Sequence, residues 1–97
     1  MVDVILDGTG IRSELDLHQA LERQLDFGPY YGRNLAALRD RLSNDIERPI
    51  HIFWRNAEES RSSLGDELYA KIIRLFARIA EEDASYGWDE RFEFSLE

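Results

Sequence analysis

The stretch FGPYYGRNLAALRDRL, Phe27 to Leu42, decides how this chain is read. It places two adjacent tyrosines in a turn of glycines and a proline, then starts a helix. Asn34 is a good N-cap, because its side-chain oxygen can accept a first-turn amide. Leu35, Leu38 and Leu42 recur at helical spacing and define a buried face. Two roles are open to the turn. Tyr30 and Tyr31 either close the edge of the core, or turn and helix together form a recognition surface.

Upstream, Val2-Asp3-Val4-Ile5-Leu6 is a β-branched run stopped by Asp7-Gly8, which predicts a strand. Ser13 with Asp16 three residues on reads as a helix start, and Leu17, Leu21 and Leu25 carry about three turns of helix as far as Phe27-Gly28-Pro29. Downstream, Pro49 opens a second strand, in which Ile50, Ile52 and Trp54 alternate with His51 and Phe53. So apolar a run is expected where both faces of a strand are covered. The polar Asn56 to Ser63 segment reads as a short helix or turn. From Gly65 the pattern is helical again, with Leu68, Ile72, Leu75, Phe76 and Ile79 on one side. That helix is expected to run out in Glu81-Glu82-Asp83, where acids oppose the helix dipole. Ser85-Tyr86-Gly87 reads as a loop, and Phe92, Phe94 and Leu96 as a last strand with one face partly wet.

Strands separated by helical crossovers favour a parallel sheet. The expected fold class is therefore α/β: a small two-layer domain, a three-stranded parallel sheet packed with three or four helices, forming one unit over residues 1–97.

Composition narrows the function. The chain has 97 residues, enough for one core, and 43% of them are hydrophobic. Twenty Asp and Glu oppose 12 Lys and Arg, a net charge of −8. That balance speaks against direct nucleic-acid binding, which needs clustered cations. It suits a protein partner with a positive cleft, and equally it suits plain solubility. There is no cysteine, so disulfides, thiolate zinc sites and a thiol nucleophile are excluded. The N-terminus has no basic signal region, and no run approaches the ~18 apolar residues of a membrane span. A cytoplasmic protein, monomeric when free, is expected.

Catalytic chemistry is scarce. His18 and His51 fall on a predicted helix and strand, where packing or local capping is expected of them. No phosphate-binding glycine loop, zinc-helix motif or nucleophile elbow occurs. The reading is no enzyme, no cofactor and no metal.

The segment Tyr30-Tyr31-Gly32-Arg33-Asn34-Leu35-Ala36-Ala37-Leu38-Arg39-Asp40-Arg41-Leu42 resembles the barstar family of intracellular ribonuclease inhibitors, whose pattern here is close to YYGxNLxALxDxL. Gly8 to Leu21 (GTGIRSELDLHQAL) and Pro49 to Arg55 (PIHIFWR) extend the likeness. The last helix and strand match more loosely, with a longer connection around Ser85-Tyr86-Gly87-Trp88. The resemblance implies a protein that plugs the active site of a barnase-type ribonuclease or a related nuclease toxin, with Asp40 standing in for a phosphate. It implies central contacts at Tyr30 and Asp40, and lesser ones at Asn34, Leu35, Ala36, Arg39, Arg78 and Glu82. Trp54 is expected in the core, Tyr31 packed inward, Asn34 acting more as a cap than a contact, and Gly32 serving the turn. On a helical wheel Asp40 lies opposite the leucine face, with Ala36, Ala37 and Arg33 on its side. The plainer alternatives are a surface acid paired with Arg41 or Arg33, and a partly buried turn aromatic at Tyr30.

Departures from the family pattern concern charge. A family acid is replaced by Ala36, another by Arg78, and a helical tryptophan by Arg39, while Glu82 retains an acid. Three partners remain open: a ribonuclease with compensating acids, a different nuclease toxin for which this chain is the immunity protein, or an unrelated protein bound by a repurposed, non-inhibitory interaction domain.

Overall fold

Alternation of apolar side chains builds the sheet, and the helical stretches between strands supply its parallel crossovers. The computed structural model describes residues 2–97. The order is β1 (Val2–Asp7), α1 (Glu14–Leu25), α2 (Leu35–Asn44), β2 (Ile50–Arg55), α3 (Ala57–Leu64), α4 (Asp66–Ser85) and β3 (Phe92–Leu96). β2 is central and pairs in parallel with both neighbours, with Val4 opposite Ile52 and Ile52 opposite Phe94. This is the expected small α/β domain with a three-stranded parallel sheet and four helices.

One sheet face carries the core. Val4, Leu6, Ile50, Ile52, Trp54 and Phe92 are buried there with Leu17 and Leu21 of α1, Leu38 and Leu42 of α2, and Ile72, Phe76 and Ile79 of α4. The opposite face is only half covered, contrary to the reading of β2 as buried on both sides. His51 and Phe53 cover each other instead, their rings stacked 4.0 Å apart at 5°. His51 Nε2 also meets Ser95 Oγ at 2.7 Å. A stacked pair on an open face looks, in sequence, like a run enclosed by two layers.

The end of β1 is clamped to the start of α3. A Cβ on Gly8 would lie 2.1 Å from the Asn56 carbonyl oxygen, so only glycine fits. Gly8 N–H donates to Arg55 O at 2.7 Å. Ser60 Oγ donates to Gly8 O and accepts the Trp54 indole N–H, so the fully buried tryptophan has its donor satisfied.

α4 passes through the acidic triplet and ends only at Ser85. The reason is Asp83, which is buried. Its carboxylate accepts from Arg48 Nε at 2.7 Å and from Phe92 N–H at 2.7 Å, tying the last turn of α4 to the start of β3. Among the described residues no helix is long and apolar enough to cross a membrane.

Candidate protein-binding surface

The turn before α2 separates its two tyrosines. Tyr30 is 91% exposed and Tyr31 only 7%. Tyr31 packs on Phe27, with centroids 4.7 Å apart, and its hydroxyl lies 2.6 Å from His18 Nδ1. His18 Nε2 in turn sits 3.0 Å from Glu14 Oε2. A carboxylate can only accept, so the complementary arrangement has Nε2–H donating to Glu14 and the Tyr31 hydroxyl donating to Nδ1. Burial, reinforced by the Glu22 and Glu14 charges, pushes the Tyr31 hydroxyl pKa well above the ordinary tyrosine value.

Other bonds fasten the same turn. Arg41 on α2 donates to Phe27 O at 2.8 Å, and its guanidinium lies over the Phe27 ring. Asn34 caps α2, its Oδ1 accepting from Ala37 N–H at 2.8 Å and its Nδ2 reaching Gly32 O at 3.3 Å. A Cβ on Gly32 would press to within 3.2 Å of Asn34 Nδ2 and 3.3 Å of the Ala37 Cβ, so a larger residue here would crowd the cap. Arg33 adopts a left-handed conformation (φ 51°) and pairs with Glu22 of α1 at 2.7 Å. It therefore turns toward α1 rather than joining Asp40, correcting the helical-wheel expectation. The result is an exposed tyrosine on a turn held from two helices.

On α2, Leu38 and Leu42 are fully buried and Leu35 half-buried against the core, which rotates Ala36 and Asp40 outward. Asp40 accepts from Asn44 Nδ2 at 2.9 Å and enters no ion pair among the described residues. The alternative of an acid neutralised by Arg41 or Arg33 does not hold: Arg41 faces Asp45 and Phe27, and Arg33 faces Glu22.

Where α2 packs on α4, Arg39 reaches across to Glu82, with Nη2 2.5 Å from Oε1. Arg78, more exposed, comes within 3.7 Å of the same oxygen. A groove of about 300 Å³ gathers Ala36, Arg39, Asp40 and Glu82 together with Ser43 and Asn44. Four of the eight anticipated residues thus share one concavity. Tyr30 stands apart at the turn, Arg78 reaches the groove only through Glu82, and Asn34 and Leu35 are committed to the cap and the core. Ser43 and Asn44 escaped the sequence reading, although Asn44 lies one helical turn beyond Asp40 and that spacing was readable. Ser43 Oγ is buried without a hydrogen-bond partner among the described residues.

Among the described residues no three His, Cys, Asp or Glu side chains cluster as metal ligands. Asp40 presents an uncompensated charge, Ala36 leaves space beside it, and Tyr30 offers a large amphipathic surface.

The small α/β domain displays an exposed tyrosine and an aspartate outside any ion pair on a braced turn and helix. The family profile described as Barstar (barnase inhibitor) matches residues 1–96. The chain is also 36% identical over 83 residues to the Bacillus subtilis (strain 168) protein named "Putative ribonuclease inhibitor YrdF", spanning 86% of this chain and 89% of that protein. The chain belongs to the barstar family.

Proposed function

We propose that this protein inhibits a ribonuclease, of barnase type or a related nuclease toxin, by one-to-one occupation of its active site, with Asp40 taking the position of a substrate phosphate. The observation that carries the reading is the Asp40 carboxylate itself: exposed on a helix fixed to the core, and bonded only to a neutral amide. A ribonuclease has to hold a phosphodiester, so its cleft is lined with cationic donors. A carboxylate accepts the same charge-assisted hydrogen bonds as a phosphate oxygen. Because α2 and the turn are already braced, little conformational freedom is lost on docking. Tyr30 adds rigid apolar contact with a polar tip, as interface hot spots often do. Family membership and the name of the Bacillus relative support the same reading.

Ala36, Arg39 and Arg78 favour a second reading, a repurposed interaction domain, because each removes or reverses a group the inhibitor pattern uses. The internal pairing of Arg39 with Glu82 weakens that objection, since its charge is already met at home. The test is RNA cleavage by a barnase-type ribonuclease, and by any nuclease encoded beside this protein, as this chain is added. Inhibition complete at one equivalent supports the inhibitor. Full activity of both at excess protein favours the repurposed domain.

A further inference from the structure

The connection after α4 carries two large aromatic side chains that the core does not use. Tyr86 is 62% exposed and Trp88 43%, with their rings packed together 5.0 Å between centroids. The segment is braced rather than loose. Tyr86 N–H donates to Glu82 O, Gly87 N–H to Ala84 O, and Arg91 Nε to Trp88 O. Paired, positioned and solvent-facing aromatics are what partner surfaces use, whereas scattered exposed side chains need no such explanation.

The surroundings of Trp88 specify charge. It lines a groove of about 530 Å³ with Arg48, Asp89 and Glu90. The Arg48 charge is consumed by Asp83 and by the Leu42 and Ile46 carbonyls. Asp89 and Glu90 enter no ion pair among the described residues, and neither does Arg91, so the segment keeps a net negative charge. An accessible indole beside two uncompensated carboxylates attracts a cation twice, through the ring quadrupole and through charge. The position matters as well. Arg78, Glu82 and Tyr86 follow at four-residue spacing, and Tyr86 keeps helical angles (φ −77°, ψ −6°). Tyr86 therefore lies one helical turn beyond Glu82, on the α4 row that borders the Asp40 groove, and Trp88 packs on Tyr86.

We infer that Tyr86, Trp88, Asp89 and Glu90 form a second docking surface, one helical turn along α4 from the Asp40 groove, which takes a lysine or arginine side chain of the same nuclease outside its active site. The inference rests on the inhibitor reading above. Charge complementarity selects this occupant, because an enzyme that binds phosphodiesters concentrates cations around its cleft. A second copy of this chain would bring two bodies of charge −8 together.

The test compares wild type with Trp88→Ala and with the double variant Asp89→Asn/Glu90→Gln. Inhibition of a barnase-type ribonuclease is one readout. The other is NMR titration of the wild type with tetra-arginine amide, followed at the indole N–H signals. Trp54 is fully buried, so it serves as the internal control. The expected results are inhibition weakened about tenfold or more by Trp88→Ala at an unchanged melting temperature, slower association of the double variant at low salt, and a peptide-induced shift of Trp88 but not Trp54. Unchanged inhibition by Trp88→Ala overturns the docking surface, and an unmoved Trp88 signal overturns its cation chemistry. A wild type that inhibits nothing counts against the inhibitor reading instead. The peptide titration then decides this surface alone: a Trp88 shift supports it, and none overturns it.

Discussion

Arg48 and Asp83, 35 residues apart, form a doubly hydrogen-bonded ion pair in which the side chains are 10% and 4% exposed. The same arginine donates to the Leu42 and Ile46 carbonyls, and the same aspartate accepts from Phe92 N–H. One buried pair therefore joins the end of α2, the approach to β2, the end of α4 and the start of β3. Removing one partner leaves the other charge buried, which costs about 3–5 kcal/mol. Asp83→Ala is expected to lower the unfolding free energy from urea curves by that amount, and the double change Arg48→Met/Asp83→Leu to recover only part of it, since the Phe92 N–H and the Leu42 and Ile46 carbonyls still lose their partners. A single variant within about 1 kcal/mol of wild type would mean the pair behaves as a surface contact.

Tyr31 makes stability depend on alkaline pH. Its hydroxyl stays protonated in the folded chain well above the ordinary value near 10, because burial disfavours the phenolate. The unfolded chain ionises near 10. The folded state is thus fully supported below pH 10 and loses support as pH rises from there toward the folded value. The slope is about 1.4 kcal/mol per pH unit from this residue. Tyr31→Phe is expected to start lower at pH 8, having lost the His18 bond, and to approach wild type by pH 11. Parallel urea curves for the two proteins across that range would rule the effect out.

Arg39 holds Glu82 at 2.5 Å at the rim of the Asp40 groove. Exposed pairs of this kind contribute about 0–1 kcal/mol to stability, so the pair matters more to the field a partner meets. Arg39→Gln leaves the Glu82 carboxylate only its longer, more exposed contact with Arg78. Its association with a basic ribonuclease is expected to be severalfold faster at low salt, with the gain vanishing near 1 M salt. Stopped-flow rates check this. Slower association would place Arg39 opposite an acid of the partner.

What was legible in the sequence follows from what is local. Leucines at helical spacing, the β1 and β3 strands and the Asn34 cap are decided by neighbours a few residues away, and each stands as read; the inward Tyr31 came with the family resemblance and is held by His18, 13 residues back. What escaped depends on partners distant in the chain. Arg33 turns to Glu22 on another helix, and Arg39 to Glu82 on α4. Asp83 looked misplaced at a helix C-terminus because its partner, Arg48, lies across the fold. The open sheet face was misread for a related reason: His51 stacking on Phe53 produces the same apolar run as a second layer would. Asp40 was legible as an outward acid, but its freedom from ion pairing could only be seen once Arg33 and Arg41 had found other partners.

The most direct measurement is inhibition of a barnase-type ribonuclease by wild type and by Asp40→Ala, with the melting temperature of each. Asp40 is exposed and bonded only to Asn44, so its loss should leave melting almost unchanged. Binding should weaken by 2 kcal/mol or more, about thirtyfold, a scale taken from interface hot spots, of which a barstar contact is itself one of the standard cases. That combination is the predicted result. Equal inhibition by the two proteins would contradict the claim that Asp40 takes the place of a phosphate.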